Sequence, residues 1–575
     1  MTLATRGVGR FVPISHWLRH YPRPALRGDV IAGLTVAVML VPQGMAYANL
    51  AGMPPVTGLY AAIVGIVAYA VFGTSGALAV GPVAITSLLT LSGLSAIVSP
   101  DDPSYPAVAA LLALSVGVIL LVAGVARLGF LVNFLSHPVI SGFTSAAAIT
   151  IAVSQVKDLL GVNIGRPEGV VATIGETVAE VGSANGWTVG IAAVSVVALA
   201  VGRKVAPRFP TALMVLAAAT VVTWAAGLSE RGVAVLGSVP TGLPTPQMPE
   251  FTASLLGDLA PVALAIGVIA YAEGVSVAKA IARRERAPID ANQELVATGV
   301  ANAASGMFGG FPIAGGFSRT AVNHQAGSRT PLASLITAVV LAIAVVWLTP
   351  ALFYLPKAVL AAVVIVAVAG LVDIADARET WRTRRSDFLA LAVTFWATLL
   401  IGVEPGLAVG VVFSLGQFIY RSANPHTTEL GRVTGTTEYR NVGRWTTRID
   451  GRIAVLRVDG PLFFANSKFF TDRVASLIIE RPEVQWVVLD AAGIGDLDAS
   501  GTHTLVEVDQ DLAASGVTLL LATLRGPVRD VMADAGLWDA MVDRIHPSVV
   551  AAVMSVDPSS PLVQPDPSEE PTEVV

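Results

Sequence analysis

The sequence predicts a polytopic α-helical membrane protein, with 14 spans in a 7+7 inverted repeat, followed by a small cytosolic α/β domain. Three observations carry this expectation. Long apolar stretches follow one another from residue 29 to residue 421. Positive charge collects in alternate connections between them. Near residue 425 the composition switches abruptly to charged segments in which strand-like and helical runs alternate.

Of the 575 residues, 54% are hydrophobic and 13% charged, and the mean hydropathy is +0.69. Soluble domains carry nearer a quarter charged residues, so most of this chain belongs in lipid. The net charge of −5 says little, because the two signs are segregated along the chain. With no cysteine, disulfides, thiolate metal sites and cysteine catalysis are excluded. The seven histidines form no metal-ligating pattern, and no nucleotide loop or catalytic triad is present. Neither an enzyme, a cofactor nor a bound metal is expected. Basic loops are few and membrane-adjacent, which argues against nucleic acid as a partner.

A span needs about 20 apolar residues. The first half places them at 29–50, 55–73, 79–98, 107–126, 137–156, 187–203 and 208–227; the second at 258–282, 290–308, 313–326, 331–349, 354–373, 386–403 and 405–421. The third and tenth are short or Gly/Pro-interrupted. An odd number per half inverts the second half relative to the first, as in many secondary transporters. The N-terminal arginines Arg6, Arg10, Arg19, Arg23 and Arg27 precede a run too long for a signal peptide, which is read as the first span.

With that tail inside, Arg203, Lys204, Arg208, Arg283, Arg284, Arg286, Arg378, Arg382, Arg384 and Arg385 also fall inside. The outer loops hold Asp101, Asp102 and, in two longer ones, Arg166 and Arg231. Positive charge thus sits where a cytoplasmic side requires it. Both termini are expected in the cytoplasm of a plasma (inner) membrane protein.

The boundaries expected are a cytosolic N-terminal segment at 1–28, a transport domain at 29–421 and a linker at 422–447. An α/β domain follows at 448–556, then a disordered Pro-, Ser- and Glu-rich tail at 557–575. Strand-like runs at Ile453–Val458, Trp486–Leu489 and Val517–Ala522 alternate with helical ones near 467–480, 501–514 and 526–536, which suggests a partly parallel sheet.

The stretch Phe311–Arg329, FPIAGGFSRTAVNHQAGSR, stands out among the apolar runs. An arginine at membrane depth is costly and marks a site where an anion or a carboxylate compensates it. The glycines before Arg319 suit a backbone extended first and helical after Phe317, which would aim free N–H groups and a positive dipole end into a cavity. Gly81-Pro82 opens the third segment, AVGPVAITS, in a similar way; a merely kinked helix is the bland alternative.

DVIAGLTVAVMLVPQGMAYANLAGMPPVTGLYAAIV, Asp29 to Val64, together with GFSRTAVN from Gly316 and GDLDASG at Gly495–Gly501, resembles the SulP family of anion transporters with a C-terminal STAS domain. The resemblance runs from about Arg27 to residue 555. It implies a core domain, helices one to four and eight to eleven, moving against a gate domain with a small inorganic anion as cargo. It further implies that backbone N–H groups at Val83, Ala84 and Ile85 face the anion from one side, and those of Gly316, Phe317 and Ser318 from the other. A homodimer is a family expectation. Some bacterial bicarbonate transporters of the family carry a hydroxyl where this chain has Val83 and Phe317, which weakens a bicarbonate assignment; sulfate or a similar oxyanion is the expected cargo. Chloride, bicarbonate, dicarboxylate exchange and a channel-like conductance stay open.

Arg319 is assigned to the field that holds the substrate, against a structural ion pair with Glu273. Glu273 is the only carboxylate in AIGVIAYAEGVSVAKAIA, and a buried carboxylate that gains and loses a proton can couple anion entry to a proton. Sodium-coupled relatives add a hydroxyl one turn later, where this chain has Val277, so a proton is preferred to sodium as coupling ion. Gln43 and Tyr47, four apart on the first helix, share a face and can donate to an anion from the side, or else join helices. Asn323 and His324 are read as packing or gating residues. In the STAS-like domain Ser500 stands at a loop-to-helix junction, either as a phosphorylation site or as an N-cap.

Overall fold

The computed structural model describes residues 12–563 apart from 131–135, 165–168, 206–210, 238–239, 241, 287, 348 and 435. Arg166, Arg208 and residues 564–575 of the expected tail therefore lie outside the described residues. Two units are formed, Met1–Ser414 and Leu415–Val575.

Every expected apolar segment contains a helix. The first half gives α1 (Leu26–Leu50), α2 (Pro55–Phe72), α3 (Ala84–Ser95), α4 (Tyr105–Val125), α5 (His137–Leu160), α6 (Gly186–Val205) and α7 (Thr211–Ala225). The second half gives α8 (Ala253–Glu285), α9 (Ala291–Met307), α10 (Phe317–Gln325), α11 (Leu332–Trp347), α12 (Lys357–Val368), α13 (Arg385–Leu400) and α14 (Val403–Ala423). Among the described residues, 8 helices are long and apolar enough to cross a membrane unaided. α3 and α10 have 12 and 9 residues, about 18 Å and 14 Å at 1.5 Å per residue, and each covers only part of a bilayer.

The third element of each half is therefore a half-helix. Each is preceded by a short strand, β1 (Val80–Gly81) and β2 (Ala314–Gly315), and the two strands pair antiparallel. Equivalent elements meeting antiparallel are what an inverted repeat requires. The helices sort into two packed groups. α9 lies against α4 and α2, α11 against α1 and α2, and α8 against α4 and α3, while α5 packs on α13 and α12, and α12 on α6.

Loop contacts separate the two ends of the bundle. At one end Asp29, buried at the start of α1, accepts from the Arg329 N–H (2.7 Å), the Thr330 N–H (3.1 Å), the Thr330 hydroxyl (2.6 Å) and the Tyr21 hydroxyl (2.9 Å). Glu294 at the start of α9 accepts from Tyr69 (2.7 Å) and from the N–H and hydroxyl of Thr74 (2.8 and 2.5 Å). Arg203 of α6 donates to the Val366 carbonyl near the end of α12 (3.1 Å). At the other end the Tyr105 hydroxyl donates to the Ala51 carbonyl, and the 234–236 segment bonds to Leu355 and Lys357.

The second unit carries a sheet in the order β4 (Tyr439–Asn441), β3 (His426–Val433), β6 (Ile453–Asp459), β7 (Trp486–Asp490), β8 (Thr518–Ala522), β9 (Ile545–His546), with β5 (Thr447–Arg448) also on β3. β6 to β9 are parallel and β3 is antiparallel to β6. Helices α15 (Ser467–Glu480), α16 (Ala499–Ala514), α17 (Gly526–Asp534) and α18 (Leu537–Met541) cover one face, and α19 (Val549–Val556) the other. Two boundaries are corrected here. The stretch expected as a linker, 422–447, contains β3 and β4, which belong to the sheet; β3 reads HTTELGRV, and its polar half hid the strand. The tail expected to be disordered from Asp557 is held as far as residue 563: Ser560 donates to Asp450 (2.5 Å), the Leu562 carbonyl accepts from Tyr439, and Leu562 is buried.

Replacing Asp29 by Ala leaves several buried donors unanswered, at about 1–3 kcal/mol each. The Asp29→Ala protein is expected to show a clearly lower melting temperature in detergent, measured against Tyr21→Phe, which loses only one of the four bonds.

Candidate anion-binding site

Between α2 and α3, and again between α9 and α10, the chain is extended at the middle of the helical unit. Such backbone must find partners inside the protein. β1 and β2 supply part, and neighbouring side chains the rest. On α9, Asn302 accepts from the Ile313 N–H (2.9 Å) and donates to the Ile313 carbonyl (3.0 Å), and Ser305 donates to the Phe311 carbonyl (2.7 Å). From α10, Thr320 accepts from the Ala79 N–H (3.0 Å), and Asn323 donates to the Ala77 carbonyl (2.8 Å). Asn323 thus packs against the segment before α3. His324 lies 3.2 Å from Glu285.

The half-helices then start with donors that no backbone carbonyl answers among the described residues. In α3 the first backbone turn bond is from the Ser87 N–H to the Val83 carbonyl (3.0 Å). The N–H groups of Val83, Ala84, Ile85 and Thr86 have no backbone acceptor among the described residues. The hydroxyls of Thr86 and Ser87 both turn back to the Val83 carbonyl. In α10 the first bond is Thr320 N–H to Gly316 carbonyl (2.9 Å).

Here one expectation is corrected. The Gly316 N–H donates to the Ala79 carbonyl (2.9 Å), extending the strand pairing, and is not free for an anion. The open donors are those of Phe317, Ser318 and Arg319. The sequence placed the start of the helix correctly but gave no signal that the strand would take the preceding N–H.

Arg319 lies between these ends, 1% exposed, and its Nη1 donates to the Pro82 carbonyl (2.6 Å). Its Nε and Nη2 are buried without a hydrogen-bond partner. No ion pair joins it to Glu273 within 4.0 Å, which goes against the structural ion pair as the reason for its presence. Glu273 and Tyr47 are nonetheless close enough to act on it through space. Close approach explains the glycines: a Cβ on Gly316 would stand 2.7 Å from Nη2 of Arg319, and one on Gly315 would stand 2.8 Å from the Gly274 Cα of α8. Gly81 at φ +152° takes a conformation that side-chain-bearing residues rarely adopt.

The remaining residues fall around this point. Gln43, half-buried, has an Oε1 without a partner. Tyr47 is 6% exposed, and no hydrogen bond of its hydroxyl is seen among the described residues. α1, which carries both, packs on α10 and α3. The Val83 side chain packs with Ala270 and Ala314, while Phe317 is 66% exposed. Glu273 is half-buried on α8, next to the Gly274–Gly315 contact. Val277 is buried with Val80 and Ala278. Ser500 belongs to the second unit. It is exposed, and the helix cap there is Asp498, whose carboxylate accepts from the Gly501 N–H (2.7 Å). The N-cap reading of Ser500 is corrected accordingly: the aspartate two residues earlier fills that position. Thr320, Asn302 and the Pro82 carbonyl were missed by sequence reasoning; only their adjacency to the broken segments could have pointed to them.

Half-helices whose preceding strands pair antiparallel, in an inverted repeat of apolar helices, define a membrane transport protein. The chain belongs to the sulfate permease family: the model of that family matches residues 26–394, and that of the STAS domain residues 444–552. The chain is similar to "Sulfate transporter 4.1, chloroplastic" of Arabidopsis thaliana, 35% identical over 571 residues, 95% of this chain and 83% of that one. A probable sulfate transporter of Mycobacterium tuberculosis is 35% identical over 544 residues, 93% of this chain and 96% of that one. Among solved structures, the murine Solute Carrier 26 family member A9 anion transporter in the inward-facing state superimposes with a TM-score of 0.89 at 25% identity, over 96% of each chain. Anion transport is the function these relatives share.

A charge-assisted hydrogen bond contributes about 1.5–3 kcal/mol, so Arg319→Ala is expected to weaken anion binding roughly ten- to a hundred-fold while the protein still inserts and purifies. Gly316→Ala, which pushes the guanidinium off its seat, should give a smaller loss in the same direction. Binding of radiolabelled sulfate to purified protein measures both.

Proposed function

We propose that this chain carries sulfate across a membrane by secondary active transport, coupled to protons. The observation that carries the reading is Arg319, buried with two unanswered nitrogens between two open helix N-termini. Each helix end contributes about half a positive charge, which with the guanidinium makes about two. A sulfate dianion matches that. A chloride or bicarbonate ion leaves about one positive charge over.

Glu273, which acts on Arg319 through space, completes the cycle. With its carboxylate ionised and no anion bound, the site stays net positive by about one charge and attracts an anion. Entry of a dianion cancels the positive field around Glu273 and leaves the site net negative by about one charge while the carboxylate is ionised, which favours its protonation. Anion and proton then share a nearly neutral site, which can pass the low-dielectric barrier between the two faces. Gln43 and Tyr47 would donate from the flank. The core group, α1–α4 and α8–α11, would move against the gate group to change the side from which the site is open. Sodium finds no hydroxyl at Val277, which packs in the apolar core. The reading takes the protein as a homodimer in the plasma membrane with both termini cytoplasmic, the side indicated by the basic loops. Transport, not catalysis, is its activity.

Proteoliposomes loaded with an inward proton gradient, a sodium gradient or neither should accumulate radiolabelled sulfate only with protons. Glu273→Gln should abolish the dependence on the proton gradient. Uptake driven equally by sodium, or no sulfate uptake under any gradient, would overturn the reading. A flux that never exceeds equilibrium would show a channel-like conductance instead.

A further inference from the structure

A ten-residue helix, Ile374–Thr383, lies between α12 and α13 and belongs to neither. At about 15 Å it is too short to cross a bilayer. One side of it is tied down. Asp376 accepts from Ser141 (2.5 Å) and approaches His137 Nε2 (3.1 Å), both at the start of α5, and Asp373 caps its N-terminus. At 100° per residue the opposite side carries Ile374, Arg378, Trp381 and Arg382. All four are exposed, Ile374 at 69% and Trp381 at 48%. Trp381 is steadied by an edge-on contact with Phe388 (4.8 Å) and by Arg385 above its ring (5.5 Å). Neither Arg378 nor Arg382 makes an ion pair within 4.0 Å among the described residues.

An apolar pair flanked by unanswered arginines, held at the end of membrane-spanning helices, is the pattern of a helix that lies in the bilayer interface. Tryptophan favours that depth. Phosphate-bearing headgroups supply the missing negative charge. We infer that the exposed face of the 374–383 helix binds anionic lipid headgroups on the side that holds the basic loops, with Trp381 at the acyl boundary and Arg378 and Arg382 on the phosphates. The choice of side rests on the proposed orientation; the lipid contact itself does not need the chain to carry sulfate. The helix leads directly into α13, which packs on α5, so lipid composition would bear on the position of the gate group.

The test is fluorescence quenching of the full chain reconstituted with lipids brominated near the top of the acyl chain. The contribution of Trp381 is the difference between the native protein and Trp381→Phe. Brominated phosphatidylglycerol is expected to quench that contribution at least about twice as strongly as brominated phosphatidylcholine, by attraction of the arginines. The double variant Arg378→Gln/Arg382→Gln should bring the two lipids level. Should Trp381→Phe fail to fold, the same lipid comparison between native protein and the double variant still decides. Equal quenching by both lipids in the native protein would overturn the inference, as would no Trp381 contribution in either lipid, which would mean that protein, such as a second copy of the chain, covers the face.

Discussion

Interrupting a helix in the middle of a membrane exposes backbone groups that no water can satisfy, and the rest of the transport unit is arranged around that constraint. The pairing of β1 with β2 answers part of it. Asn302 and Ser305 on α9, and Thr320 and Asn323 on α10, answer most of what remains. What is left unanswered is a set of N–H groups at two helix starts, together with two nitrogens of Arg319. Two buried guanidinium nitrogens beside two unanswered helix starts mark the site more sharply than any single residue does. The glycines at 315 and 316 follow from the same constraint, since neither the contact with α8 nor the seat of the guanidinium leaves room for a side chain.

Much of this was legible in the sequence. Spans are set by runs of apolar residues, so they survive without coordinates. The break before Arg319 was visible because glycines and an arginine are out of place among leucines and valines. The pairing of its N–H groups was not visible, because it depends on which of two adjacent glycines the strand captures; the structure gives Gly316 to the strand and leaves Arg319 its own N–H. Likewise Ser500 looked like a cap from its place in GDLDASG, but Asp498 is a stronger acceptor and lies where the Gly501 N–H points. The sheet of the second unit was read only in its apolar parallel strands. β3 and β4, half polar and antiparallel, passed for a linker until their partners were seen.

On the proposed reading, charge explains why the site would suit a dianion and why a carboxylate stands beside it. A permanent cation at membrane depth is tolerable when its field is balanced in every state through which the protein passes. Glu273 can balance Arg319 when the site is empty, and an anion can balance it when the site is full. The absence of a direct contact between the two side chains leaves space for that exchange, whereas a tight ion pair would have excluded the cargo. In the same reading Gln43 and Tyr47, held on a neighbouring helix, would add donors without adding charge.

The most direct test of the central claim is to locate the anion. Selenate resembles sulfate in shape and charge and carries an atom heavy enough to be identified by its anomalous scattering in crystals of the protein. The account predicts a single selenium peak between the N–H groups of Val83–Thr86 and those of Phe317–Arg319, within hydrogen-bonding reach of the Arg319 guanidinium. A peak elsewhere in the helical unit, or none at this point in selenate that saturates transport, would contradict it.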